Sequence, residues 1–391
     1  MLSDMKRDAE SVMLREMAHD FAERILRPAG NEADKSGETP WRAVRAAGEV
    51  GLSAANVPDR YGGPGVKPTV MVSVMEELGW GNFGIAATIG AASLVAAAVL
   101  RAGGEDQRQR YLGHLCSTEA PWVGALALTE PESGSELEID LPDAPQRLST
   151  SAKRTPTGYR LSGSKRFITN GGRADLTLVL ANIGPQSDRG GWSLFLVEQG
   201  TAGLRAGRQI PTMGLRGSYT GELWLEDCDV PASALLGQPG EGLRIVLEVL
   251  QLARTMIAAA LVGLARAAFE AARAYSLERR QFGAPIREHQ LVGETIARMR
   301  LEVDAARLLV LRAASELEVG RDASLSAAEA KLYASETAVK VTQAALQLHG
   351  GYGFTQELPL EMWVRDAMVG RIFFGTSEMQ LLEIARSIDR D

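Results

Sequence analysis

The sequence has little of what disulfide-stabilised or zinc-dependent proteins need. Its 391 residues include two cysteines, Cys116 and Cys228, and four histidines that lie far apart along the chain. Two cysteines cannot build a disulfide framework, and no C-x-x-C pair is present for zinc or redox chemistry. This cysteine usage fits the reducing environment of the cytoplasm, and we expect no metal site.

Several motifs of well-known enzyme classes are also missing. The sequence contains no G-x-x-x-x-G-K-[ST] phosphate loop, no H-E-x-x-H zinc helix and no G-x-S-x-G nucleophile elbow. The net charge of −7 comes from acidic and basic residues that are interspersed along the chain. Because nucleic-acid-binding proteins carry a basic patch or stripe, we expect no nucleic-acid partner.

One uncharged stretch approaches the length of a membrane span. It runs from Phe83 to Leu100 and is rich in alanine, glycine and serine, with few large apolar side chains. We therefore predict a buried helix of a helical domain rather than a membrane span. Residues 1–27 alternate charged and apolar side chains without the apolar core of a signal peptide, so we expect a cytoplasmic protein.

The hydrophobic pattern predicts helices, then strands, then helices. Helical periodicity extends from Ser11 to about Leu115, with breaks at Pro28, at Pro40 and at the glycine turn of residues 61–65. Residues 122–231 instead alternate apolar and polar side chains between glycine-rich turns, which predicts a compact antiparallel barrel or sandwich. The alternating apolar positions are Leu176, Leu178, Leu180, Trp192, Leu194, Leu196, Leu223 and Leu225.

The helical pattern returns after Gly242 and continues to the end. Residues 256–265 are apolar on every side, which indicates a helix in the middle of a bundle. Gly320 is expected to end a helix, and Ser326 with Glu329 has the spacing of a capping box that opens the next one. Residues 136–147 are predicted to form an exposed loop. A chain of this length fits two or three domains, which we place at 1–121, 122–232 and 233–391.

Two segments of the predicted β region have features of a heterocycle-binding site. Residues 125–135 read as a strand that ends in hydroxyls and glycine, whose backbone N–H groups can bind a flat ring and its carbonyls. An ordinary turn after a strand is the alternative. In residues 165–171, Phe167 and Thr169 are two positions apart, which places them on one face of a strand.

Two further segments have features of a phosphate-binding site. In residues 278–286, Arg279 offers a planar fork suited to a pyrophosphate, and Gly283 allows close approach of the backbone. A charged helix end before a turn is the alternative. Residues 347–354 form a glycine-rich helix exit that either passes under a phosphate or is a simple C-cap.

In their order and spacing these four segments, with Gly375-Thr376-Ser377 near the end, resemble the acyl-CoA dehydrogenase family. The resemblance covers nearly the whole chain. It implies an α+β multidomain fold with an N-terminal α-helical domain, a middle antiparallel β domain and a C-terminal four-helix bundle. It also implies one FAD per subunit, bound partly across a subunit interface, usually in a homotetramer, with an electron-transfer partner.

The resemblance also assigns candidate cofactor residues. Those that would hold the flavin ring are Leu126, Leu128, Thr129, Gly134, Ser135, Phe167 and Thr169. Those that would reach the FAD of a neighbouring subunit are Arg279, Gln281 and Phe282, with Arg279 on the pyrophosphate. The site would be completed by Gln290, Gln347, Gly351, Thr376 and Glu378.

The substrate side departs from the family pattern. Many members carry the catalytic glutamate at the position of Phe374, and others carry it at the position of Ala253. Neither side chain can accept a proton, so the catalytic base is unknown. Glu248 lies five positions before Ala253, about 140° around the same helix, and should point elsewhere. Glu378 is expected to serve the FAD.

The resemblance assigns the substrate-binding positions to Ser135, Gly90, Gln251, Arg254 and Phe374. Gln251 replaces an acid that some members use toward the pantetheine arm, which weakens the case for free CoA as the carrier. Small residues at 90–92 either leave room for a bulky acyl group or let two helices pack closely, and the sequence does not separate these readings.

Three functions remain open from the sequence. The first is an FAD-dependent oxidoreductase acting on the acyl chain of a CoA or carrier-protein thioester, with a relocated base or with reduction or oxygenation as its chemistry. The second is a catalytically silent FAD-binding subunit of a hetero-oligomer. The third is an acyl-thioester-binding protein without turnover. The retained flavin segments favour the first two.

Overall fold

The structure is a β-sheet between two groups of helices, as the sequence predicts. The computed structural model describes residues 9–137, 147–184 and 189–388. The first group of helices lies before the sheet in the chain. It comprises α1 (Ala9–Phe21), α2 (Arg27–Ser36), α3 (Trp41–Glu49), α4 (Pro68–Gly81), α5 (Phe83–Ala102) and α6 (Glu105–Leu115).

Pro28 does not break the first helix, so that prediction is wrong. A π-helical stretch, Ala22–Leu26, joins α1 to α2, and the Arg27 N–H donates to the Ala22 carbonyl. Pro28 lies in the first turn of α2. The wider π turn lets the chain accommodate a ring that would clash with a regular α-helical turn. The breaks at Pro40, which precedes α3, and in the turn of residues 61–65 are confirmed.

Helix α5 is the buried helix that the uncharged stretch predicts. It begins at Phe83, after the N-cap residue Asn82, whose side-chain oxygen accepts the Ile85 N–H at 2.9 Å. Among the described residues, two helices, Phe83–Ala102 and Gly242–Glu278, are long and apolar enough to cross a membrane. However, 83% and 78% of their most apolar windows are buried inside the protein. Both helices therefore use their apolar surface for packing against the rest of the chain.

Two glycines bring α4 against α7 (Gly242–Glu278). A Cβ atom at Gly79 would lie 2.2 Å from the Ala260 carbonyl oxygen, and one at Gly263 would lie 2.0 Å from the Glu76 carbonyl oxygen. Neither position has room for a side chain, so the two backbones are in direct contact. This contact fixes the N-terminal helices relative to the C-terminal ones.

The described residues in the middle of the chain form an eight-stranded sheet. Its strands are β1 (Gly124–Ala127), β2 (Ser151–Arg154), β3 (Gly158–Thr169), β4 (Leu176–Asn182), β5 (Trp192–Glu198), β6 (Leu204–Gln209), β7 (Thr220–Pro231) and β8 (Leu235–Leu236). The spatial order is β6-β7-β3-β2-β4-β5-β8, with β1 beside β4. Most neighbours are antiparallel as predicted, but β1 and β2 each pair with β4 in parallel.

The predicted alternation of apolar side chains holds on β7 and fails on β4 and β5. Every residue of β5 except Glu198 is buried. Strand β7 buries alternate residues over most of its length, since one face is exposed. Every residue of β4 is buried, so Thr177 and Val179 are as inaccessible as the leucines between them. Strand β4 is therefore a central strand covered on both faces, which a half-buried pattern does not describe.

The last third of the chain is helical apart from a short hairpin. Its elements are α7, β9 (Arg280–Gln281), β10 (Ala284–Pro285), α8 (Gln290–Glu318), α9 (Ser324–His349), α10 (Leu360–Met368) and α11 (Ser377–Ile388). Helices α7, α8 and α9 pack on one another, and α10 and α11 pack on α9. Residues 256–265 of α7 are all buried, which confirms the predicted central helix.

The predicted capping box at the start of α9 is wrong, although the predicted end of α8 near Gly320 is confirmed. Helix α9 begins at Ser324, two residues before Ser326. The Ser326 hydroxyl donates to Glu316 at 2.5 Å, and Glu329 accepts from Arg312 at 2.9 Å. Both side chains are thus used to join α9 to α8.

Two predictions are not tested by this structure. Most of the loop expected at 136–147 lies outside the described residues, which omit 138–146. The domain boundaries after residues 121 and 232 stay predictions.

A buried carboxyl joins the loop before β7 to α10. The Leu215 N–H donates to Asp366 Oδ1 at 2.6 Å, and the Asp366 side chain is 2% exposed. Burial raises the pKa of Asp366 to about 7, although the Leu215 N–H and Arg365 oppose this shift. The folded protein therefore holds a proton on Asp366 at pH values where the unfolded chain has released it.

We expect Asp366→Asn to remove part of the pH dependence of stability. A raised carboxyl pKa stabilises the folded state fully below about pH 4, and this contribution is lost as the pH rises toward 7. Asparagine keeps the acceptor for the Leu215 N–H and does not ionise. The free energy of unfolding of the variant at pH 8 should therefore exceed that of the parent by about 2–4 kcal/mol. Thermal unfolding from pH 5 to 8 measures the difference. Asp229→Asn, at an exposed pair with Arg160, is the control. A difference that does not grow with pH would contradict the prediction.

Candidate active site

A cavity of about 300 Å³ lies where α5, α7, the sheet and the loop before α11 meet. Many of the predicted site residues line it, although they come from segments far apart in sequence. They are Gly90, Leu126, Leu128, Thr129, Gly134, Ser135, Phe167, Thr169, Ala253, Phe374 and Thr376. The fold thus brings the predicted flavin-ring residues and both predicted base positions to a single cavity.

A buried ion pair supports the sheet side of this cavity, and the sequence analysis missed it. Lys165 Nζ donates to Glu130 Oε1 at 2.9 Å and to the Leu128 carbonyl at 2.8 Å. Burial lowers the pKa of Lys165 to about 8. Burial also acts to raise the pKa of Glu130, but Lys165 and Thr150 outweigh it and hold that pKa below its usual value. The pair fixes the chain at Leu128 and Thr129 relative to β3.

Phe167 reaches the cavity through a β-bulge rather than along a regular strand. The pairing of β3 with β7 shifts register between Lys165 and Ile168. Phe167 has φ 59°, a value that bulky side chains rarely adopt. The prediction that Phe167 and Thr169 share one strand face therefore had the wrong geometry, since Ile168 between them also lines the cavity. The bulge directs the ring toward the cavity, with 56% of its surface exposed.

The loop before α11 presents Phe374 to the cavity in a fixed position. Phe374 has φ 51°, which is strained for a phenylalanine. Arg254 Nε and Gln380 Nε2 each donate to the Phe374 carbonyl at 3.2 Å. Lys331 Nζ donates to the Gly375 carbonyl at 2.5 Å. All three donors are buried, so the loop is held from behind while the phenyl ring forms part of the cavity wall.

Two residues predicted to contact substrate have partners within the protein. Arg254 is not among the described lining residues and donates to the Phe374 loop. Gln251 donates to Asp322 at 2.9 Å and to Ser324 at 3.0 Å, so it holds the start of α9. Both residues position structural elements, and direct contact with substrate stays a prediction for each.

No carboxylate or imidazole is found among the described residues that line the cavity. Glu248 lies on the outside of α7, as predicted, where Arg101 and Arg244 bind it and hold its pKa below the usual value. Glu378 is exposed at the start of α11, and its own backbone N–H and Thr376 lower its pKa. Neither acid is placed to remove a proton from a molecule inside the cavity.

The small residues at 90–92 have different roles. A Cβ atom at Gly90 would meet the flexible ends of Met75 at 3.3 Å and Met256 at 3.7 Å, and Gly90 and Ala91 line the cavity. Ala92 instead packs against Gly124, where an added Cβ would lie 2.9 Å from the Ala92 Cα. Gly90 and Ala91 therefore leave room for a ligand, whereas Ala92 lets α5 pack closely against β1.

Some of the remaining predicted cofactor residues form a second, open group near the hairpin. Arg279, Gln281 and Gly351 line a groove of about 480 Å³ between the end of α7 and the end of α9. Phe282 is 96% exposed at the tip of the β9–β10 hairpin, with φ 52°. Gln290 and Gln347 are exposed and do not line this groove, and Glu378 lines neither site.

The fold and the cavity define a helical–sheet–helical protein with a heterocycle-sized site at the junction of its three parts. Family models match almost the whole chain, in the order in which the parts occur. They are the acyl-CoA dehydrogenase N-terminal domain at residues 8–119, the middle domain at 125–228 and the C-terminal domain at 240–388. The chain belongs to the acyl-CoA dehydrogenase family.

Individual relatives match along nearly their full length. An acyl-CoA dehydrogenase of Bacillus subtilis is 38% identical, covering 96% of this chain and 97% of that protein. An acryloyl-CoA reductase (NADH) of Anaerotignum propionicum is 37% identical, covering 98% and 96%. The solved structure of butyryl-CoA dehydrogenase from Megasphaera elsdenii superposes with a TM-score of 0.93 at 34% identity, covering 99% of this chain and all of that one.

Members of this family are flavoproteins that bind FAD, and they are typically homotetramers. The cavity suits the flavin ring, because apolar side chains such as Leu126 and Phe167 provide faces for a flat heterocycle. Thr129, Ser135, Thr169 and Thr376 provide hydroxyls in the lining of the same cavity. The residues present therefore fit the cofactor that the family implies.

Proposed function

We propose that the protein is an FAD-dependent oxidoreductase of the acyl chain of a CoA or carrier-protein thioester, and that it works without a carboxylate base in its cavity. The observation that carries this proposal is the cavity itself. The residues that the resemblance assigns to the flavin ring line it, whereas its two expected base positions, Ala253 and Phe374, contribute only hydrocarbon.

In this proposal the two groups of cofactor residues bind different portions of FAD. The flavin ring lies against Thr129, Ser135 and Thr169, with Phe167 as a side wall. Arg279 and Gln281 bind the pyrophosphate portion of a neighbouring subunit's FAD, which is consistent with their open groove. Bound FAD supplies two-electron exchange with a carbon of the acyl chain.

Reduction of an enoyl thioester is the reaction that this set of residues favours. In that direction the β-carbon gains a hydride and the α-carbon gains a proton, which water supplies. No protein group has to remove a proton from carbon, so the apolar ring of Phe374 is compatible with the reaction. The reductant would be a nicotinamide or an electron-transferring protein. A relative named acryloyl-CoA reductase (NADH) supports this direction.

Anaerobic flavin spectroscopy tests the proposal. Photoreduced holoprotein mixed with an enoyl thioester should recover its oxidised flavin absorbance, and oxidised holoprotein mixed with the matching saturated thioester should not bleach on the same timescale. Rapid bleaching by the saturated thioester would indicate a relocated base and ordinary dehydrogenation. Oxygen-dependent product formation from reduced flavin would indicate oxygenation. Either outcome would overturn the reductive assignment.

A silent FAD-binding subunit is the second candidate, and the exposed hairpin favours it. Phe282 is 96% exposed and Arg279 opens onto a solvent-accessible groove, so this chain can lend both to a neighbouring subunit. Flavin turnover that appears only when a homologous chain is co-purified would select this candidate. Protein that cannot be reconstituted with FAD would leave the third candidate, an acyl-thioester-binding protein without turnover.

The assembly and location that we propose follow the family. We propose a homotetramer or homodimer in the cytoplasm, with a hetero-oligomer as the assembly that the second candidate requires. Analytical ultracentrifugation of the FAD-loaded protein alone distinguishes a self-assembling chain from one that needs a partner.

A further inference from the structure

Two methionines from different helices meet in the cavity. Met75 of α4 and Met256 of α7 both line it. A Cβ atom at Gly90 of α5 would lie 3.3 Å from the Met75 methyl carbon, 3.7 Å from the Met75 sulfur and 3.7 Å from the Met256 methyl carbon. The two thioethers therefore converge over one glycine, which places no side chain between them and the cavity.

These thioethers are the oxidisable sulfur groups of the described cavity lining. Methionine and cysteine are the side chains that oxidants such as peroxide convert in defined steps. Cys116 and Cys228 are buried, and neither is among the described residues that line the cavity. That lining also contains no tryptophan, tyrosine or histidine. A peroxide molecule inside the cavity therefore has Met75 and Met256 as its targets.

The cavity gives a small oxidant access to side chains that are otherwise buried. Met75 and Met256 are each 4% exposed. Met71, one turn earlier on α4, is also 4% exposed but is not among the described lining residues. Met13 and Met213 are 67% and 60% exposed. Methionines that line the cavity can therefore be compared with a buried methionine of the same helix and with two exposed ones.

We propose that Met75 and Met256 form an oxidation site, at which hydrogen peroxide produced inside the cavity converts methionine to methionine sulfoxide. The source of the peroxide rests on the proposed function, which places FAD in this cavity. Peroxide forms there when molecular oxygen takes two electrons and two protons from reduced flavin and solvent. One peroxide oxygen then bonds to the thioether sulfur, the O–O bond breaks, and the other oxygen leaves as water.

The sulfoxide changes the polarity of one part of the cavity. The side chains that α4, α5 and α7 contribute to the described lining, which include Ala87, Leu94 and Ile257, carry no hydrogen-bond donor. A sulfoxide oxygen among them is satisfied only by water that enters the cavity. Oxidation of this site therefore draws water into a part of the cavity whose wall is otherwise hydrocarbon.

Peptide mass spectrometry of cycled holoprotein tests this oxidation site. FAD-loaded protein is photoreduced without oxygen, the light is turned off, and air is admitted with catalase present to destroy peroxide that leaves the protein. After several cycles the ratio of sulfoxide at Met75 and Met256 to sulfoxide at Met71, Met13 and Met213 should be above one. Oxidised holoprotein treated with added hydrogen peroxide and no catalase should oxidise Met13 and Met213 first, because these side chains meet the reagent at the surface.

The double variant Met75→Leu with Met256→Leu is the matched control. Leucine replaces methionine at nearly constant volume and has no sulfur, so the variant should fold and load FAD. Cycling should add up to two more oxygen atoms to the parent than to the variant, by intact mass. Sulfoxide at Met71 should be the same in both proteins. The comparison of Met75 with Met71 within the parent does not depend on the variant.

The outcomes separate the oxidation site from the proposed function. Sulfoxide at Met75 and Met256 that does not exceed sulfoxide at Met71 after cycling would overturn the site, and so would oxidation that catalase abolishes. Flavin that stays reduced in air would overturn it as well. In each of these cases the proposed function would stand. Protein that cannot be loaded with FAD would overturn both.

Discussion

Phe374→Glu is expected to create or strengthen conventional dehydrogenase activity, with flavin bleaching by a saturated acyl thioester about 10²- to 10⁴-fold faster than in the parent. The reason is positional. Phe374 lines the cavity, and the loop that carries it is held at its carbonyls by Arg254, Gln380 and Lys331, none of which depends on the side chain at 374. A carboxylate at this position would line the cavity at one of the two places to which the resemblance assigns the catalytic base. Stopped-flow absorbance under anaerobic conditions measures the rate.

Phe374→Gln is the matched control, because glutamine has the size and shape of glutamate without its basicity. It should bind FAD and thioester as the glutamate variant does and leave the flavin oxidised. Equal rates for the two variants, with both proteins fully loaded, would show that the substrate does not lie against this loop. Ala253→Glu tests the other position independently, since Ala253 lines the same cavity from α7.

Arg279→Ala is expected to weaken FAD binding about 10- to 100-fold, which corresponds to the loss of about 1.5–3 kcal/mol for a hydrogen bond between charged groups. Arg279 borders the open groove beside Gln281 and Gly351, at the position that the resemblance assigns to the pyrophosphate. The dissociation constant of FAD, measured by fluorescence titration of the apoprotein, reports the effect.

Arg298→Ala controls for the loss of one positive charge from the same part of the chain. Arg298 is exposed and pairs with Glu294 within α8, away from the groove. It should leave the FAD affinity unchanged. An Arg279→Ala protein that holds FAD as tightly as the parent would contradict the assignment of the groove to the cofactor.

The order of the helices and strands, and many of the residues that line the cavity, could be predicted from the sequence, because both depend on the hydrophobic pattern and on motif spacing. The switch in periodicity near residue 122 marks the start of the sheet region. The motif positions place Phe374 and Ala253 at a single cavity, although they are more than a hundred residues apart. Burial of residues 256–265 follows directly from their uniform apolarity.

Features that depend on tertiary contacts could not be predicted in this way. The bulge at Phe167 requires knowledge of how β3 pairs with β7, and the Lys165–Glu130 pair joins residues 35 apart in sequence. A mid-strand lysine two positions before Phe167 was the available signal for that pair. Gln251 was assigned to substrate by position alone, whereas the structure shows it holding the start of α9.

The crystal structure of the FAD-loaded protein with a bound acyl thioester would show directly which groups face the α-carbon. We expect the flavin ring against Thr129, Ser135 and Thr169, and the ring of Phe374 facing the α-carbon, with no carboxylate within hydrogen-bonding distance of that carbon. An aspartate or glutamate oxygen within about 3.2 Å of the α-carbon would contradict this expectation and indicate ordinary dehydrogenation by a relocated base.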